Sequence, residues 1–556
     1  MALPKYMGND CELSTSGVDA RDQAIPSWDV TRAVLDHIDA AFEPYGTRTW
    51  SRARVWSDSQ GSAYGASAWS SDCLRHWSPV GGCVYSDMGH IEVCTPAALQ
   101  PRAYAAHCFA VLRVVEAARQ RAEAASEAGE QHAAYAAGGA RYALSTANVD
   151  VLDPAVSWGT HVNVSIDSRL WEDLFVEHRR PAMLGFVASA MAAAVPFFGA
   201  GYLMPMRDGD VVYSLSARAH HLTQVITSAT TEAFRRGLLN DRREPHAQGQ
   251  ERLHLIGFDF ALASAVLRCS FLQCVLAAAE EGFCDLIAYE PVRALHAWSW
   301  GLERTTGRLT GAATLIDGRK LTLPGYVREL TSKLLAMCEQ GLIPETVAPG
   351  ARELLPIVLE LAERAARGDL LHCAKHLDWA AKFLGLTDMC SAPGVRLGDA
   401  ATRLFDHDFA RTERARGPFW SLWEQGLVDP LVGADEIEAC LRDGPPESRD
   451  WSRGRLIQAF HGDITDVDWS FVELRRDADR WQSRLRVEFP RPDSRPRASF
   501  EPLLARARSV AELGELLRGD DEGTAETDPI LDIRSEVASQ SVAASHQPRA
   551  TGSHPN

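Results

Sequence analysis

Residues 83–96 read C-V-Y-S-D-M-G-H-I-E-V-C-T-P. Tyr85 and Asp87 stand two apart in a run that reads as a strand ending at Gly89, so alternation sends both side chains off one face. A phenol and a carboxylate then share one space. Beyond a Gly-His step able to bend the backbone come Glu92 and, three residues later, Thr95. A core strand would normally be apolar here. Hard divalent cations take several oxygen ligands, and a carboxylate left free beside one can act as a base. An exposed hairpin with scattered polar side chains is the competing reading of this stretch alone.

The 556 residues can bury a large core and allow roughly two to four domains. Hydrophobic content of 46% and charged content of 24% fit an ordinary globular protein. A formal net charge of −17 argues against nonspecific nucleic-acid binding, which needs a surplus of Lys and Arg. The twelve cysteines contain no C-x-x-C pair and follow no signal peptide, so reduced, mostly buried thiols and a cytoplasmic location are expected. Residues 181–206 carry no formal charge and are long enough to span a bilayer. Pro196, Gly199, Gly201 and Pro205 interrupt that run, however, and the expectation is a buried helix ending near Pro196, then a turn into a strand, with no membrane partner.

Near the N-terminus, Asp10 and Glu12 share one face of a short strand. Two carboxylates so placed repel unless a cation or an arginine lies between them; a solvated edge strand is the alternative. Helical spacing predicts one helix over 27–42 capped by Ser27, then a long loop over 47–80. An Ala-rich helix is expected over 97–138 with a break near Gly129, and strands within 140–167, where His161 and Asn163 alternate with valines. A strand over 211–219 carries Arg218 near its end. The second polar knot, 240–255, gathers Arg242, Arg243, Glu244, His246, Arg252 and His254 beside an apolar strand at 253–260. Converging guanidiniums suit a polyphosphate, although Arg–Glu pairs also decorate ordinary loops. Helices follow over 262–281 and, with breaks at 344–350 and 367–368, over 327–386. A strand-like W-S-F-V-E-L begins at Trp469. Three parts are expected: a large domain over 1–435 with an insertion at about 47–80, a small C-terminal domain over 436–519, and a disordered tail over 520–556.

Taken together, the spaced knots resemble the Pup ligase and depupylase family, which has a glutamine synthetase-like carboxylate-amine ligase fold. That family opens with M-G-x-E-x-E, matched here by M-G-N-D-C-E with Asp10 and Glu12. Its Tyr-x-Asp and following acid and threonine match Tyr85, Asp87, Glu92 and Thr95. Its G-x-H-E-N resembles residues 159–163, and its S-Q-R resembles Ser216-Ala217-Arg218. Its R-D-E-P-H-A-D and R-R-L-H resemble 242–248 and 251–254. Its R-x-x-x-R-G and nucleotide-bordering tryptophan correspond to Arg449, Arg453-Gly454 and Trp469. The resemblance implies an α/β (α+β) fold, an antiparallel sheet with flanking helices plus a small C-terminal domain. It also implies Mg²⁺ bound by Asp10, Tyr85, Glu92 and His161, ATP contacted by Thr95, Arg218, Arg252, Arg453 and Trp469, and Asp87 as the catalytic carboxylate.

Two features lean toward the depupylase branch: the D-x-x-H-x-E spacing from Asp87 to Glu92, and the long insertion before Asp87. The implied activity is Mg-ATP-dependent hydrolysis of the isopeptide bond between the small modifier Pup and substrate lysines, with deamidation of Pup as a related reaction and Pup or pupylated proteins as partners. A diverged carboxylate-amine ligase and a catalytically silent nucleotide- or Pup-binding regulator are the alternatives. The chain departs from the family pattern at Cys83, where an ATP-contacting arginine is expected, at Val162 in place of the acid of H-E-N, at Arg243 and Gln248 in place of two acids, and at Ala261 in place of an asparagine.

Overall fold

The computed structural model describes residues 2–53, 74–129, 139–176, 180–206, 210–230, 235–243, 250–476 and 483–521. The middle of the 47–80 insertion, Glu244, His246, Gln248 and residues 522–556 lie outside these residues.

β1 (Met7–Val18) is the hub of the fold. In chain order there follow β2 (Ala24–Ile25), β3 (Trp50–Ala53), β4 (Leu74–Trp77), β5 (Cys83–Asp87), β6 (His90–Cys94), β7 (Arg141–Ser145), β8 (Thr160–Asp167), β9 (Tyr202–Pro205), β10 (Val211–Ser214), β11 (Leu222–Thr227), β12 (Arg236–Asn240) and β13 (Gln250–Phe258). The main sheet runs β11-β12-β13-β8-β1-β6-β5-β4-β3, with β2 and β7 on the far end of β1. Its pairs are antiparallel apart from β11 with β12. The edge-strand alternative for the first segment therefore falls, because β1 lies inside the sheet.

Period-two alternation divides this sheet into two faces. Met7, Cys11, Leu13, Ile91, Val93, Val162 and Val164 are buried on one of them. Helices Pro101–Glu127 and Ala265–Glu280 cover that face: Tyr104 donates to Asn9 at 2.6 Å, and Cys269 lies 3.5 Å from the Met7 sulfur. The opposite face carries Asp10, Glu12, Tyr85, Asp87, Glu92, His161 and His254. Farther on, β14 (Ala312–Thr314) and β15 (Lys320–Thr322) form a hairpin, and β16 (Ile464–Asp468), β17 (Phe471–Arg475) and β18 (Arg484–Glu488) form a small sheet. The small sheet and helix Arg449–Ala459 build a second core that includes Trp77, Cys83 and Cys94 from the polar face of the main sheet. Arg453 fastens the two together. It pairs with Asp450, donates to the carbonyl oxygens of Gly81 and Trp469, and lies against both the Trp77 and Trp469 rings, which meet edge to face.

Several sequence expectations are corrected here. The 27–42 helix is two helices, Ser27–Leu35 and Ile38–Phe42, parted at His37, and Ser27 is a helical residue that caps nothing. Just past the break, Asp39 accepts the amide of Thr49 at 2.8 Å. The ends of the expected loop are strands, since Trp50 pairs with Trp77 across β3 and β4. The Ala-rich helix starts later than expected, at Pro101, and stops at Glu127, by the expected break near Gly129; residues 130–138 lie outside the described residues. The 211–219 strand stops at Ser214 because Asp259 captures the next turn, accepting from Ser216 Oγ and from the amides of Ala217 and Arg218. Trp469 precedes its strand, and the last helix reaches Asp521, inside the expected tail. Helix Pro181–Phe197 ends where expected, one residue past Pro196. Among the described residues no helix is long and apolar enough to cross a membrane.

Candidate active site

The site is a ladder of side chains across four adjacent strands. Tyr85 of β5 stands opposite Glu92 of β6, which stands opposite Glu12 of β1. One rung away, Cys83, Cys94, Asp10 and His161 align across β5, β6, β1 and β8. β5 turns into β6 through Met88 (φ +46°) and Gly89 (φ +89°), a two-residue connection with both central residues left-handed, as tight hairpins prefer. That turn holds Asp87 opposite His90 at the end of the ladder.

Charge is crowded on the acidic strands. Burial, reinforced by Asp87, Glu12 and Asp10, pushes the Glu92 carboxyl well up, while the Tyr85 hydroxyl donates to it. Burial also pushes Glu12 up to about 7, against the Gly159 amide that donates to it at 2.6 Å. Asp87 is raised by burial as well, and a proton held by Glu92 can be shared with it. Tyr85, itself raised well above its usual range by burial, is a neutral phenol in this setting. Across β8 and β13 the character changes. Asp10 accepts from Asn163 at 2.9 Å and lies 4.0 Å from Arg252. Ligand atoms of Asp10, His161 and His254 lie within 4.8 Å of one another, and burial lowers both imidazoles, His161 to about 4.

The residues expected to hold Mg²⁺ are thus divided. Asp10 and His161 converge with His254, whereas Tyr85 and Glu92 converge with Asp87 and Glu12. An oxygen-rich cluster whose carboxylates repel one another fits a hard divalent cation, and neutral imidazoles add nitrogen donors. Glu12 and His254 were not assigned to the metal from sequence. The signal was there in Glu12 sharing a strand face with Asp10, and His254 with Arg252. Arg252 reaches this cluster, but the other expected nucleotide residues are placed differently. Thr95 accepts the Asn9 amide at 2.9 Å and keeps its own hydroxyl proton to donate. Arg218 is buried in the wall behind Gly159, donating to Ser157 and to the Ile256 carbonyl, and burial lowers it to about 9. Arg453 and Trp469 belong to the junction with the second core.

The departures become legible in this geometry. Val162 points to the helix-covered face, away from His161 and Asn163. Arg243 is paired with Glu251, which neutralises the added charge locally.

The family described as Pup-ligase protein matches residues 5–473 of this sequence. The chain belongs to that family. It is 27% identical over 446 residues to the Pup deamidase/depupylase of Mycolicibacterium smegmatis, covering 79% of this chain and 82% of the relative. It is 30% identical over 294 residues to the Pup–protein ligase of Xylanimonas cellulosilytica, covering 51% and 62%. Among solved structures, the complex between the prokaryotic ubiquitin-like protein Pup and its ligase PafA aligns over 99% of both chains, with a TM-score of 0.69 and 20% identity. PafA in complex with ADP aligns over 79% of this chain and 90% of that one, with a TM-score of 0.63 and 22% identity. The family's glutamine synthetase-like fold is the fold described above.

Proposed function

We propose that this member of the Pup-ligase family is a Mg²⁺- and ATP-dependent hydrolase of the depupylase type, acting on the isopeptide bond between Pup and substrate lysines. The observation that carries the reading is the position of Asp87, at the hairpin end of the acid ladder, with its carboxyl raised by burial and so more basic than an ordinary aspartate. The D-x-x-H-x-E spacing and the long alignment with a deamidase/depupylase support the hydrolytic branch.

In this reading Asp87 either attacks the isopeptide carbonyl carbon or takes a proton from the water that does so. On the water route the C–N bond breaks and the lysine amine leaves with the proton that Asp87 took; on the attack route a water gives the leaving amine its proton and, as hydroxide, hydrolyses the acyl–Asp87 anhydride, returning Asp87 and the carboxylate of Pup. Glu92 holds Asp87 in place, with Tyr85 fixing Glu92 in turn. Asp10, Glu12, Glu92, His161 and His254 would hold Mg²⁺, which supplies charge to orient nucleotide phosphates and polarise the carbonyl oxygen. Arg252, beside Asp10, would meet the phosphates of the nucleotide.

The test is a gel assay of the purified protein with Mg-ATP and a Pup-conjugated substrate, beside Asp87→Asn. Free Pup released by the wild type, with at least about a hundredfold loss in the variant, is the expected result. An intact conjugate in both overturns the reading. The alignment with Pup–protein ligases favours one second reading, carboxylate–amine ligation through an acyl phosphate. Stoichiometric ADP release with formation of a conjugate would identify it.

A further inference from the structure

Position 83, where the family resemblance expects an arginine, holds a buried cysteine, yet a guanidinium still stands over this part of the site. It comes from the adjacent strand. Trp77 pairs with Cys83 and His76 with Val84, so the next rung sets Arg75 of β4 opposite Tyr85 on the face that carries Cys83, Cys94 and Glu92. The Arg75 guanidinium carbon lies 4.5 Å from the centroid of the Tyr85 ring, a cation–π contact that fixes its height above the ladder. Among the described residues its guanidinium makes no hydrogen bond or ion pair. Burial alone would lower its pKa, but Cys83, Tyr85, Cys94 and Glu92 around it raise it instead, so the group stays charged.

A planar cation with free donors, stacked at the edge of a cluster suited to a divalent metal, is matched to an anion that arrives with that metal. We propose that Arg75 is a phosphate-binding residue of this site, supplying from β4 the guanidinium that position 83 lacks. The ligand class is a nucleoside triphosphate bound with Mg²⁺, and the assignment rests on the reading of the site given under Proposed function. The two positions are diagonal neighbours on one face, close enough for a long side chain at 75 to serve the space beside residue 83.

Calorimetric titration separates the two readings, using Mn²⁺ alone and then ATP with Mg²⁺ against the full chain and three variants. Arg75→Gln should weaken ATP binding about 10- to 100-fold, the worth of a charge-assisted hydrogen bond, and leave Mn²⁺ affinity unchanged. Arg75→Lys should recover part of the loss. The double exchange Arg75→Asn with Cys83→Arg should return ATP affinity toward that of the wild type, a recovery that a purely structural role for Arg75 would not produce. Wild-type ATP binding that Arg75→Gln leaves unchanged overturns the assignment while the nucleotide reading stands. An equal fall in Mn²⁺ and ATP affinity also overturns it, making Arg75 a support for the acids. A wild type that binds Mn²⁺ but no ATP overturns the nucleotide reading itself, and the assignment of Arg75 falls with it.

Discussion

The two halves of the site face are charged in opposite senses. β5, β6 and β1 present Asp87, Glu92, Glu12 and Asp10, while β8 and β13 present the neutral imidazoles of His161 and His254 and the guanidinium of Arg252, with Arg218 buried in the wall behind them. Each half is crowded with its own kind. Glu12 and Glu92 are raised by burial and by neighbouring acids; Arg218 is lowered by burial and by Arg236 beside it. A cation relieves the first half and an anion the second. The face is thus complementary to a metal–anion pair rather than to either ion alone, and substitutions on each half test this.

The largest effect is expected where the contrast should not extend, on the helix-covered face. Val162→Glu restores the acid of the family pattern but buries it among Met7, Cys11 and Leu13. It should cost at least about 3 kcal/mol in a denaturant titration. A stable variant with a gain in activity would show that residue 162 communicates with the site. Next comes Glu12→Gln. The folded pKa of Glu12, about 7, lies above its unfolded value of 4.5, so its contribution to stability is present in acid and is lost as pH rises through 7. The metal-free variant should therefore match the wild type near pH 4.5 and exceed it above pH 7, by up to roughly 3 kcal/mol in thermal unfolding, while losing Mn²⁺ affinity. A variant less stable at every pH would mean that the Gly159 hydrogen bond outweighs the buried charge. A smaller effect tests whether the metal straddles both halves: His254→Ala should weaken Mn²⁺ binding about tenfold by calorimetry if its imidazole is a ligand. Unchanged affinity would confine the metal to the acidic strands. The smallest belongs to Arg243→Ala, which removes an exposed partner of Glu251 and should change stability by less than about 1 kcal/mol.

Alternation along a strand is a local property, and it was legible. Tyr85 with Asp87, Asp10 with Glu12, and His161 with Asn163 occupy common faces because the backbone fixes a period of two. Which strands become neighbours is not local. Glu12 meets Glu92 because β1 inserts between β6 and β8, and no spacing within either segment announces that pairing. The same limit hid β3 and β4, whose tryptophans pair across a sequence separation of 27 residues. Motif resemblance placed Arg453 beside a nucleotide, but its donors go to carbonyl oxygens that the second core brings close, a use that only tertiary packing reveals.

That junction also imposes an order of events during synthesis. Gly81 and Ala97, which flank the hairpin bearing Asp87, draw their partners from Arg453 and Asp450, more than 350 residues later in the chain. A ribosome delivers those partners only after the whole main sheet, which ends at Phe258, has been made. Until then Trp77 and the Cys83–Cys94 rung lack their cover, so a nascent or truncated chain presents an open aromatic edge to the cell's holdases and proteases.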